Sequence, residues 1–175
     1  MLAVRDEREV ARVTRWIWLG PSAFLVHDTE ELVTMVPWIA AHRALLPAAV
    51  RPLAASVTTT GLALGVAALF TGFVFAAAHG VRRARRGAPS WPFLVAAGAF
   101  VGNGVTHLAQ AAYVGGYTPG VVTALLVSLP YGWGLARACH AAGLASTRAL
   151  ALCLAIGVVA QVPIALAALT LTRGA

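Results

Sequence analysis

Residues 24–34 read FLVHDTEELVT and place one histidine and three acids inside an otherwise apolar run. His27, Glu30, Glu31 and Thr34 fall at i, i+3, i+4 and i+7. A helix turns about 100° per residue, so these four project from one face, with Asp28 at its edge. Imidazole and carboxylate are the groups that bind divalent cations or move protons. A second stripe has the same spacing: Asn103, Thr106, His107 and Gln110. A third cluster, Tyr117-Thr-Pro-Gly-Val-Val-Thr123, adds a phenol and a hydroxyl beside a Pro-Gly pair.

The surroundings make these groups costly. A carboxylate at the centre of a bilayer costs roughly 2.5–3.5 kcal/mol, so three unpaired ones would cost about 7–10 kcal/mol. The chain has no lysine, and its arginines flank the apolar runs. That leaves protonation, histidine or a bound cation to neutralise the acids. A polar network that merely locks helices together typically gains about 1 kcal/mol or less per contact, too little to offset such a cost.

The elements that must position these groups follow from composition. Of 175 residues 59% are hydrophobic and 11% charged, and mean hydropathy is +0.79. Soluble domains carry about a quarter charged residues. An ordinary soluble enzyme and a disordered tail are both excluded. Five apolar runs are expected as membrane helices, at about 16–40, 53–78, 91–113, 118–138 and 147–171, each near the ~20 residues that cross a bilayer. Residues 1–15 mix charges and read as a short amphipathic cytoplasmic segment. The expected fold is one all-α integral membrane bundle, a single domain over 1–175, with no repeat. Counted from Trp16, His27 and Glu31 lie about 16 and 22 Å deep; counted from Trp91, Asn103 and His107 lie about 18 and 24 Å deep. Two polar stripes therefore meet at one height.

Ten arginines fall on one side (Arg5, Arg8, Arg12, Arg15, Arg82, Arg83, Arg85, Arg86, Arg137, Arg148) and three on the other (Arg43, Arg51, Arg173). The larger set is expected in the cytoplasm, with the N-terminus inside the cytoplasmic membrane. Trp16, Trp18, Trp38, Trp91 and Trp133 read as interfacial belts. The arginine run 82–86 reads as a loop at lipid headgroups rather than a nucleic-acid patch. The lysine-free, alanine-rich usage points to a bacterial source. Gly61-x-x-x-Gly65 and Gly98-x-x-x-Gly102 allow close helix approach. Cys139 and Cys153 read as packing residues. His42, His79 and His140 fall at helix ends, Gln161 lies deep in the fifth run, and Pro37, Pro130 and Pro163 are expected kinks.

The three clusters together are His27-x-x-Glu30-Glu31, Asn103-x-x-x-His107 and Tyr117-x-Pro119-Gly120-x-x-Thr123. In this order they resemble the HXXEE-motif family of small integral membrane proteins. The resemblance implies an integral membrane protein with enzymatic activity, and it marks the site rather than the reaction.

The residue types support one leading expectation. His27, Glu31 and His107 form a His₂Glu ligand set suited to zinc with an open position, with iron as the other choice. Glu30 is the expected general base, or a bridging ligand if two metals bind. Asn103 would orient a ligand or substrate, and Tyr117 would donate to developing charge. Thr34, Thr106, Gln110 and Thr123 would support them from outside. Hydrolysis of a lipid-like, apolar molecule taken from the bilayer is the natural use. Two alternatives stand beside it: a metal-free His/Glu isomerase or cyclase, and a proton-coupled transporter. The latter has five spans and no repeat against it. Oligomeric state leaves no signal.

Overall fold

The computed structural model describes residues 7–171, and the chain is all-helical, with no strand among the described residues. Five long helices form the bundle. They are α1 (Glu7–His42), α3 (Thr59–Arg85), α4 (Trp91–Val114), α5 (Val121–Ala141) and α6 (Thr147–Leu171). A short helix α2 (Arg51–Ala54) sits in the connection from α1 to α3. Three helices, α3, α4 and α5, are long and apolar enough to cross a membrane. The corresponding apolar stretch of α6 is shorter, Thr147–Gln161, and α1 carries the carboxylates in its middle. Apolar helices of this kind fit a membrane bundle.

The residues at the breaks explain most boundaries. Thr58 is extended and accepts a hydrogen bond from the Gly61 N–H at 3.0 Å, an N-cap that starts α3. The second run is therefore not continuous from residue 53: residues 55–58 separate α2 from α3. Ser90 caps α4 through the Phe93 N–H, with Pro92 in the first turn. Gly115, left-handed at φ 72°, ends it. The fourth run starts three residues later than expected. The Val121 N–H bonds the Thr118 carbonyl at 3.1 Å, and Gly120 has φ 84°, ψ −12°. Thr118–Val121 is thus a type II turn with Pro119 and Gly120 in its required places, and Pro119 precedes the helix. Within α5 the turn Ala124–Ser128 is π-helical. Pro130 follows at once and has no N–H to return to the carbonyl four residues back.

Two expected segments merge into helices. Glu7–Arg15 is the first part of an unbroken 36-residue α1, not a separate segment. Arg82, Arg83 and Arg85 form the last turn of α3 rather than a loop, and Arg83 Nε donates to the Pro89 carbonyl at 3.1 Å. Arg5 and Arg173 lie outside the described residues.

Packing fixes the site's scaffold. The core joins Phe73, Phe93, Phe100 and Tyr131 across α3, α4 and α5, with Phe24 of α1 edge-on to Phe73 and Phe100. The broadest helix contact is α4 with α6. Gly98 and Gly102 make it possible, since a Cβ on either would strike the backbone of Cys153 or the side chain of Val158. Gly157 faces them from α6 in the same way. Gly61 and Gly65 differ: both are buried, and both line a cleft. Cys139 and Cys153 are buried and free.

Candidate functional site

The site forms where α1, α4 and the start of α5 meet. His27 and Glu31, one turn apart on α1, face His107 of α4. His107 Nε2 lies 2.6 Å from Glu31 Oε1, and His27 Nε2 lies 3.9 Å from the same oxygen. One ligand-type atom from each of these three residues falls within 4.8 Å of the others. His27 and His107 are buried, and Glu31 is nearly so. The two imidazoles are edge-to-face with centroids 5.0 Å apart, and Phe100 walls His27 on another side.

Hydrogen bonds fix how His27 presents itself. Thr123 Oγ1 donates to Glu30 Oε2 at 2.5 Å, a charge-assisted bond that commits its one proton. The same oxygen must then accept the 2.9 Å contact from His27 Nδ1–H. Neutral His27 is left with its Nε2 lone pair pointing at the cluster. The Asn103 amide donates to that nitrogen at 3.2 Å and to His107 Nε2 at 3.0 Å. At 2.6 Å from Glu31, His107 Nε2 either carries a proton that it donates to the carboxylate, in place of accepting from Asn103 and with its buried Nδ1 left without a partner, or shares a cation with it, because two lone pairs repel at that distance.

Glu30 is held differently. Tyr117 OH donates to its Oε1 at 2.9 Å, and the Val122 N–H reaches the same oxygen at 3.4 Å. The Thr123 N–H donates to Oε2 at 2.8 Å, beside the Thr123 hydroxyl. These donors belong to the first turn of α5 and the loop before it, where free N–H groups favour an anion. Glu30 therefore clasps α1 to that loop. Trp38 adds a second tie, Nε1 to the Tyr117 carbonyl at 2.9 Å. In the loop, partial burial raises the Tyr117 phenol above its ordinary pKa; a hydrogen bond with Thr34 opposes this and the Glu30 charge adds to it. Tyr117 thus stays protonated as a donor.

Other expected site residues fall around this core. Thr34 and Thr106 donate to carbonyls of their own helices, at Glu30 (2.6 Å) and Asn103 (2.7 Å). Gln110 lines the neighbouring cleft. His42 stacks on Trp38, and His79 Nδ1 contacts Ser90 Oγ at 2.7 Å; neither joins the site. Two residues there escaped the spacing argument. Gly120 lies under His107, and a Cβ would come within 2.8 Å of the ring; the Pro-Gly turn signal could have shown this. Asp28 is buried in the cleft, and its position at the face's edge gave no sign of that.

His27, Glu31 and His107 are a donor set that could hold a metal ion. Tetrahedral zinc with bonds of ~2.1 Å needs donors ~3.4 Å apart; here Glu31 lies 2.6 and 3.9 Å from the two histidines, and the three atoms fall within 4.8 Å of one another. The hydrogen bond from His27 Nδ1 to Thr123 and on to Glu30 is the outer support that histidine ligands need.

A family model described as "Protein of unknown function with HXXEE motif" matches residues 18–135. That range contains all three motifs. No curated protein and no solved structure matches the chain.

Proposed function

Because the chain belongs to the family of proteins of unknown function with an HXXEE motif, we propose a function from its own geometry: membrane-embedded, metal-dependent hydrolysis of an apolar, lipid-like molecule. The observation that carries this reading is the convergence of His27, Glu31 and His107 on one point. Two imidazoles and one carboxylate are the protein share of a catalytic zinc site with an open position. Zinc is preferred to iron, since paired-iron centres in helical bundles draw carboxylates from several helices and every acid near this site lies on α1. A metal held there would supply an acidified water near neutral pH.

The chain's own residues orient and enclose that chemistry. Thr123 and Glu30 hold the His27 tautomer. Asn103, within reach of both histidines, is placed to hold a substrate oxygen. Glu30 and Tyr117 take positioning roles, because both Glu30 oxygens already accept hydrogen bonds. Water adds to an acyl carbon, the bond to the leaving oxygen or nitrogen breaks, and the leaving group takes the proton. The protein is assigned to the cytoplasmic membrane with its N-terminus inside, on the arginine asymmetry.

Elemental analysis tests this reading. Purified protein should hold about one zinc per chain, lost in His107→Ala; a folded, active, metal-free wild type would sink it. A second reading, metal-free acid–base catalysis, rests on the 2.6 Å Glu31–His107 contact. It expects chelators to leave turnover unchanged.

A further inference from the structure

A cleft of about 570 Å³ lies beside the cluster, between α1, α3 and α4 and under the connection that carries α2. Its size is within the range of small-molecule sites. Asp28, Glu31, Asn103 and His107 line one end, and the rest is mainly apolar. Gly61 and Gly65 contribute to the wall from α3. Tyr113 and Leu69 also line the cleft and are 74% and 37% exposed on the outer surface. Leu45 and Val50 of the connection line it too and are 49% and 43% exposed, so the cleft reaches the surface of the bundle along both the α3–α4 flank and the connection. At their other ends α3 and α4 close tightly, with the Phe93 ring 3.1 Å from where a Gly80 Cβ would stand. A mainly apolar lining that reaches the surface of an apolar helix bundle suits molecules taken from lipid.

The polar end has an unmet demand. Asp28 is only 6% exposed, and its Oδ2 has no hydrogen-bond partner. A buried acceptor left in this state costs free energy until a donor arrives. No arginine lines the cleft to meet an anion. We propose that the cleft takes a single-chain neutral lipid whose head presents an O–H or N–H to Asp28 and carries no negative charge. This rests on the hydrolase reading and deepens it: the substrates are monoacyl esters of polyols or N-acyl amines, not phosphoesters. Hydrolysis adds water across the acyl C–O or C–N bond, giving a fatty acid and an alcohol or amine.

The test uses full-length, chelator-treated protein in nanodiscs, so that binding is read without turnover. Hexadecylglycerol ether represents the polyol arm, N-hexadecylacetamide the amide arm, and hexadecyl phosphate the anionic control. Either neutral probe should bind saturably, and which one binds tighter names the substrate arm. Binding should weaken at least tenfold in Asp28→Leu. It should also weaken in Gly65→Leu, which narrows the cleft, while zinc uptake on re-addition stays at the wild-type level. Absence of saturable binding, or equal competition by hexadecyl phosphate, overturns the proposal. Because binding is read without metal, failure to find zinc in the native protein overturns the hydrolase reading alone.

Discussion

Glu30 and Glu31 are neighbours in sequence and opposites in circumstance. Glu30 meets donors on both of its oxygens and joins α1 to the start of α5. Glu31 faces two imidazole nitrogens and a cleft, and its short contact with His107 needs a proton or cation to be favourable. One carboxylate is satisfied by the fold, the other by something the fold must bind or share. The same charge, about 100° round the helix, is architecture on one side and chemistry on the other. A buried acid is thus read by its partners rather than its depth.

Substitutions can break or sharpen that contrast. The largest effect is expected for Glu31→Gln, with zinc affinity falling at least about 100-fold, or ~2.7 kcal/mol, while the bundle's melting point stays within a few degrees. Unchanged zinc content in that variant would erase the distinction between the two acids. Gly120→Ala comes next: it strains a position at φ 84° and pushes on the His107 ring. Zinc affinity should drop about 10–100-fold, the scale of outer-support losses, as titration of the apoprotein would reveal. Glu30→Gln should reverse the Glu31 pattern, losing about 1.5–3 kcal/mol of stability as charged hydrogen bonds go, with zinc stoichiometry kept. Denaturation in detergent and elemental analysis on one preparation would report both. Tyr117→Phe removes one of Glu30's donors at an exposed site, so about 0.5–1.5 kcal/mol is expected. A larger loss there than in Glu30→Gln would show that the clasp works through Tyr117 rather than the carboxylate.

Much of the site was legible in sequence because helical spacing and depth are simple geometry. The stripes at His27–Thr34 and Asn103–Gln110 do meet at one level, and the last helix starts at Thr147 as expected. Spacing cannot say which neighbour a side chain faces, so it grouped Glu30 with Glu31. Hydropathy cannot see a break inside an apolar run, which hid the gap at residues 55–58 before Thr58 caps α3. Nor does it distinguish a loop from a charged last turn, as at Arg82–Arg85. The Gly-x-x-x-Gly pattern marks missing side chains without saying what occupies the space: for Gly98 and Gly102 it is a helix, for Gly61 and Gly65 a cavity.

The partners of the α1 acids come much later in the chain. Glu31 waits for His107, and Glu30 for Thr123, 93 residues on. At synthesis rates of roughly 5–20 residues per second, that delay is on the order of 5–20 seconds. During it, α1 has neither the imidazole nor the loop donors that later hold its carboxylates. In the membrane bundle proposed above, assembly is therefore a matter of timing: α1 has to be sheltered or kept near the membrane surface until α4 and α5 emerge. Truncations ending before residue 103 should leave α1 poorly inserted, and those reaching past residue 123 should restore it.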